Sequence, residues 1–306
     1  MSSSALCNRG AHSDQEHLQS SVLCRRGVLL INLGTPDGPD IPSVRRYLAE
    51  FLGDPHVVHL PRGLKWMNGL LGRMIARLRA SRSAEMYRRI WTDRGSPLGS
   101  ITEEQAVLLE DALPDGWDVF YAMRYGRPTI AEKLGEIEAA GIDELVVIPM
   151  YPQFSGTTSG TALHALYGNL KRGNHRINVT TRNTWFDDGG YVHAQAKLIE
   201  EYAKRHGLKP ENSYLVFSAH GLPVSYVERG DPYPSHVKRS VELVTQRLGW
   251  ATDRMTLAYQ SRLGPARWLR PGVDEMLDEL ARAGEKRVLI CPISFTTDCL
   301  ETLEEI

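Results

Sequence analysis

Tyr214-Leu215-Val216-Phe217-Ser218 is a short apolar run that ends in Ala219-His220-Gly221-Leu222-Pro223. Its length and its β-branched and aromatic content suit a buried strand. The Gly and Pro that follow force a turn, which predicts His220 at the carboxyl edge of a sheet. Runs of the same kind recur at residues 28–33, 119–124, 145–149, 177–182, 255–260 and 288–291. Between them, residues 130–140, 192–206, 234–248 and 273–283 repeat apolar side chains every three or four positions, so each is expected to be a helix covering a sheet with one face. Strands alternating with helices mean βαβ units and parallel sheets, an α/β fold. No internal repeat is visible, but the strands divide into two similar halves near residue 172, and ligands of such domains sit in the cleft between them at the carboxyl ends of the strands.

The 306 residues, 42% hydrophobic and 24% charged, exclude disordered and fibrous classes and leave room for two domains. A net charge of -1 gives no footprint for nucleic acid. Cys7, Cys24, Cys291 and Cys299 form no C-x-x-C pair, which suits free thiols in a reducing, cytoplasmic compartment. Residues 1–26 are Ser-rich and polar, lack the apolar core of a signal peptide, and are expected to form a disordered tail. No apolar run reaches the roughly 18 residues that a membrane span requires.

Three further patterns carry chemistry. A helix through the final residues would align Asp298, Glu301 and Glu305 on one face, at i, i+3 and i+7. A solvated acidic face and an Asp298 helix cap compete with that reading. Arg124 and Tyr125 close a strand, where a surface ion pair is the plainer role for the arginine, and Trp268 follows another strand, where a core or hinge aromatic is the plainer role. His220 by itself is more often a loop histidine with satisfied bonds.

Taken together, Asn32-Leu33-Gly34-Thr35-Pro36, Tyr151-Pro152-Gln153-Phe154-Ser155, Phe217 through Pro223, Arg229-Gly230-Asp231-Pro232-Tyr233-Pro234, Gln260-Ser261-Arg262-Leu263-Gly264-Pro265 with Trp268-Leu269, and Asp298-Cys299-Leu300-Glu301-Thr302-Leu303 resemble the ferrochelatase family in order. The resemblance runs from Gly27 to Ile306. It implies two Rossmann-like, chelatase-like domains, over residues 27–172 and 173–306, clasping a porphyrin, with ferrous iron as second substrate. It also implies a lyase that inserts Fe(II) into protoporphyrin IX to form protoheme, the terminal step of heme biosynthesis. His220 resembles the family's catalytic histidine and Glu301 its partner carboxylate, both at the metal. Leu33, Arg124, Tyr125 and Trp268 match the porphyrin pocket, and Asp298 and Glu305 match an acidic path for protons or metal.

Metal insertion requires two pyrrole protons to leave and the ring to pucker. Histidine, with an unperturbed pKa of about 6.5, suits the base, and neutral imidazole also ligates Fe(II). Gly156 stands where iron–sulfur members of the family carry a cysteine, so no [2Fe–2S] cluster and no tightly bound cofactor is expected. Cys299 replaces a histidine common in relatives and is expected to be a packing thiol. Leu33 replaces the tyrosine of relatives acting on coproporphyrin, which points to protoporphyrin IX. Relatives continue past the position of Ile306 with a further helix and strand, so the C-terminal segment is expected to be cut short.

Residues 62–82 form an amphipathic pattern. Met67, Leu70, Leu71, Met74, Ile75 and Leu78 make one stripe, flanked by Arg62, Lys65, Arg73, Arg77, Arg79 and Arg82, with no acidic residue from Pro55 to Ala84. Such a helix packs on its own sheet with a solvated basic back, covers an apolar ligand, as the resemblance implies for a lip over the porphyrin, or rests on an anionic membrane, and peripheral contact with the inner face of the plasma membrane is the expectation. A chelatase for coproporphyrin or another tetrapyrrole, such as one placing cobalt in sirohydrochlorin, is one rival reading. A non-catalytic porphyrin or metal carrier is another, and the oligomeric state stays open.

Overall fold

β1 (Arg26–Thr35) is buried without a break from Gly27 to Asn32, the mark of a strand covered on both faces. The computed structural model describes residues 25–60, 62–262 and 264–306. In it β1 lies between β2 (Trp117–Gly126) and β3 (Glu144–Pro149), and β4 (Asn178–Thr181) extends the sheet to the order β2-β1-β3-β4, every pair parallel. Helices α1 (Ile41–Gly53), α2 (Asn68–Ile90) and α3 (Pro97–Ala112) join β1 to β2. The crossover to β3 is α4 (Ile130–Ala139), and that to β4 is α5 (Thr161–Gly173). α6 (Gly189–His206) then leads to a second parallel sheet, whose central strand is β5 (Tyr214–His220). α7 (Val224–Val227) and α8 (Tyr233–Leu248) precede β6 (Met255–Gln260), and α9 (Val273–Arg282) precedes β7 (Val288–Cys291), giving the order β6-β5-β7. A short α10 (Leu300–Leu303) follows.

The expected strands and helices are all present, and both sheets are covered on both sides. Leu29 and Ile31 of β1 pack with Leu134, Ile137 and Leu166 below, while Val28 and Leu30 meet Ala106 above. In the second sheet, Leu215 and Phe217 pack with Val192, Ile199 and Val237, and Val216 packs with Leu280 on the opposite face.

Two expectations need correction, and of the placements open to the apolar stripe of α2 one is ruled out. β4 hydrogen-bonds to β3, so the first sheet runs past residue 172 to Thr181; β-pairing, which the linear pattern does not specify, decides that strand's partner. Residues 1–24 of the expected tail lie outside the described residues, and Arg26 opens β1 opposite Trp117 and Glu144. The apolar stripe of α2 does not face its sheet. Gly72, Ala76, Ala80 and Ala84 are the buried positions, and Ala84 packs with Val44 of α1. Small side chains allow the two helices to approach closely, which turns Leu70, Met74 and Leu78 outward; Leu78 is 79% exposed, and Trp66, just before α2, is 77% exposed. Among the described residues no helix is long and apolar enough to cross a membrane.

Candidate active site

His220 ends β5 in register with Gln260, the last residue of β6. Its Nδ1 lies 2.7 Å from the Gly221 carbonyl oxygen. A carbonyl only accepts, so Nδ1–H is the donor and Nε2 carries the free lone pair. The Gly221 N–H donates to the Gln260 carbonyl at 2.7 Å, and a Cβ at Gly221 would stand 2.7 Å from that same oxygen, so only glycine permits this turn. Trp268 bridges to Pro223 in antiparallel fashion and brings its ring against Gly221. The indole therefore lies against the turn that follows His220.

Gln260 also reaches the other half of the pair. Its side-chain amide donates to the Glu301 carbonyl at 2.6 Å, while its Oε1 accepts from the Ser218 hydroxyl. His220 and Glu301 thus flank one buried glutamine. The acidic row, however, is not a helical face, because α10 spans only Leu300–Leu303 with Cys299 as its N-cap. Asp298 lies ahead of the helix, exposed, and accepts from the Thr302 hydroxyl at 3.1 Å; Glu305 lies beyond it, exposed, and accepts from Ser261. Of the three, Glu301 alone is half-buried. Between them, Glu304 pairs with Arg89 of α2 at 2.5 Å.

Leu33 and Glu301 share the walls of one narrow cavity with Tyr47, Tyr87, Ser96 and Leu98. His220, Arg124, Tyr125 and Trp268 are not in those walls. Phe295 connects this cavity with His220: it packs, as Leu33 does, against the Leu98 and Cys299 cluster, and its ring centroid lies 6.5 Å from that of His220. Burial, and then the charge of Glu301, push the Tyr87 phenol and the Cys299 thiol well up, so both stay protonated. Cys299 is accordingly an inert packing thiol. Leu33 reaches the cavity because Gly34, at φ 107°, lets β1 run tight against β2; a Cβ there would lie 1.7 Å from the Tyr125 carbonyl oxygen.

Arg124 and Tyr125 belong to a separate polar cluster built on Asp54. The Asp54 carboxylate, its side chain 4% exposed, accepts from Arg124, from the Tyr125 hydroxyl at 2.8 Å and from the Thr161 hydroxyl at 2.7 Å. Burial pushes its pKa up, but the His56 backbone N–H, Thr161, Tyr125 and the Arg124 charge outweigh that and bring it down to about 2. Tyr125 is fully buried beneath the Arg124 guanidinium, 4.3 Å from its ring centroid. It therefore positions Arg124 and presents no surface of its own.

The sequence model of the ferrochelatase family matches residues 25–306. A ferrochelatase of Polaromonas sp. (strain JS666) is 42% identical over 92% of this chain and 77% of its own length. Ferrochelatase 2 of Shewanella oneidensis is 43% identical and the ferrochelatase of Methylococcus capsulatus 44%, each over 92% of this chain and 85% of the relative.

The chain belongs to the ferrochelatase family.

It is a lyase of heme biosynthesis, and its two parallel sheets fit that family. Three residues of this ferrochelatase framework escaped a role in the sequence reading. Gln260 was signalled by two strands ending at equivalent positions. Phe295 sits in a loop with no periodicity to mark it. Asp54 follows a helix directly before Pro55, where a carboxylate ordinarily reads as a turn residue.

Proposed function

We propose that this chain inserts Fe(II) into protoporphyrin IX with His220 as the base and Glu301 as the partner carboxylate, each contacting the metal during transfer. The observation that carries this reading is the shared Gln260, which ties the end of β5, where His220 sits, to the backbone of Glu301 in α10. Nε2 of His220, left free by the Nδ1 hydrogen bond, is the atom that takes a pyrrole proton. Glu301, half-buried and next to protonated phenols, supplies negative charge for the cation and a second proton acceptor. Asp298 and Glu305, exposed on either side of it, connect that carboxylate with solvent. Trp268 walls the porphyrin pocket on the His220 side, Leu33 on the opposite side, and Arg124, held over Tyr125, provides a fixed positive charge. The apolar Leu33 favours protoporphyrin IX over more acidic porphyrins.

The chain works without a [2Fe–2S] cluster in this reading, since Gly156 brings no thiolate and its N–H is spent on Asp231 at 2.8 Å. The domains divide between β4 and α6. The outward row of Trp66, Leu70, Met74 and Leu78, set among arginines, supports peripheral contact with an anionic membrane at the cytoplasmic face.

An anaerobic steady-state assay with Fe(II) or Zn(II) and protoporphyrin IX tests the proposal. Turnover is expected for the wild type and is expected to be abolished by His220→Ala. An unchanged rate in that variant removes the assigned base, and a preference for coproporphyrin removes the role given to Leu33.

A further inference from the structure

His56 and His164 face each other, their ring centroids 4.6 Å apart and their planes at 43°. His56 stands in the loop after α1, with Nδ1 2.9 Å from Oδ1 of Asp54. A carboxylate has no proton to give, so Nδ1–H is the donor and the lone pair sits on Nε2. A carboxylate behind one ring nitrogen and a lone pair on the other is the arrangement by which proteins orient histidines that bind metals. His164 is exposed on the first turn of α5. The first residue of that helix, Thr161, donates to the same Asp54 at 2.7 Å. One buried carboxylate therefore sets the ring of His56 directly and anchors the turn that carries His164.

We infer that His56 and His164 form a two-imidazole site for a first-row divalent cation, with Asp54 as the orienting group behind His56 and water completing the coordination. Imidazole selects Zn(II), Co(II), Ni(II) or Fe(II) over Mg(II) and Ca(II), which prefer oxygen cages. Among the described residues no third His, Cys, Asp or Glu side chain joins the two rings in a metal-holding group, so the protein supplies two ligands. The charge of Asp54 is met by Arg124 on its far side. The inference does not depend on the roles given to His220 and Glu301.

Equilibrium dialysis of the whole chain against Zn(II) at neutral pH tests it, using the wild type, His56→Asn, His164→Ala and His220→Ala. His164 is exposed, so its replacement leaves the fold intact, which circular dichroism checks. The expected result is that the His56 and His164 variants each lose the same zinc ion, or bind it at least about tenfold more weakly. The His220 variant is expected to keep it, and His164→Ala to insert metal into porphyrin at the wild-type rate. Zinc binding by His164→Ala equal to that of the wild type overturns the inference, as does loss of this ion in His220→Ala alone.

Discussion

Gln260 donates its side-chain amide proton to the backbone carbonyl of Glu301 at 2.6 Å from a strand position in register with His220. Replacing it with alanine removes a bond of about 1 kcal/mol and leaves the Glu301 carbonyl and the Ser218 hydroxyl without their partner. Stability is expected to fall by about 1–3 kcal/mol. The rate is expected to fall further, by about 100-fold in kcat, because α10 is then free to shift its carboxylate by an ångström. Steady-state kinetics alongside urea unfolding separates the two effects. A rate loss no larger than the stability loss accounts for would contradict the positioning role.

Asp54 predicts a particular response to acid. Its folded pKa of about 2 lies below the ordinary aspartate value of 3.8, so its carboxylate stabilises the fold at any pH above about 4. That contribution, about 2 kcal/mol, is lost as pH falls from about 4 toward about 2. Asp54→Asn lacks it at every pH. Urea unfolding of both chains between pH 6 and pH 2.5 is therefore expected to show the gap between them narrowing as acid is added. A gap independent of pH would sink the assignment.

Gly34 should not tolerate a methyl group. The residue has φ 107°, and an added Cβ would fall 1.7 Å from the Tyr125 carbonyl oxygen. Gly34→Ala must push β1 away from β2 at the point where Leu33 enters the cavity. A loss of roughly 3 kcal/mol or more is expected, together with weaker porphyrin binding. Thermal unfolding and quenching of tryptophan fluorescence by porphyrin measure the two.

The exposed row on α2 gives the opposite expectation for stability. Leu70, Met74 and Leu78 are more than half exposed, so changing all three to serine should alter unfolding free energy by no more than about 0.5 kcal/mol per site. Sedimentation with vesicles containing phosphatidylglycerol should nevertheless fall sharply relative to the wild type. Equal vesicle binding by both chains would rule out this face as the membrane contact.

The strands among the described residues were legible because most are short apolar or β-branched runs bounded by turn residues, and β1 and β5, central in their sheets, were the plainest. His220 was legible for the same reason, since a histidine at a strand terminus before Gly and Pro has one place to go. The partner of β4 was not, because its alternating exposure fits an edge of either sheet. Nor was the acidic row. Spacing alone places Asp298, Glu301 and Glu305 on one helical face, but the backbone turns helical only at Leu300, and the Thr302 hydroxyl, bonded to Asp298 and accepting from the Cys299 N–H, fixes where the helix starts. The close packing of α2 on α1 was hidden because small residues give a weak apolar signal even where they make the tightest contact. Asp54 gathers partners from β2, α5 and its own loop, a convergence that exists only in three dimensions.

The segment after β7 belongs to the second sheet by covalent connection but rests on the first. Thr296 bonds to Met150 and Gln105, Leu300 packs beside Val44 and Tyr87, and Glu304 grips Arg89. A rotation of one sheet against the other would have to tear this strap loose. The last turn of the chain thus ties the edge of one sheet to the helices of the other.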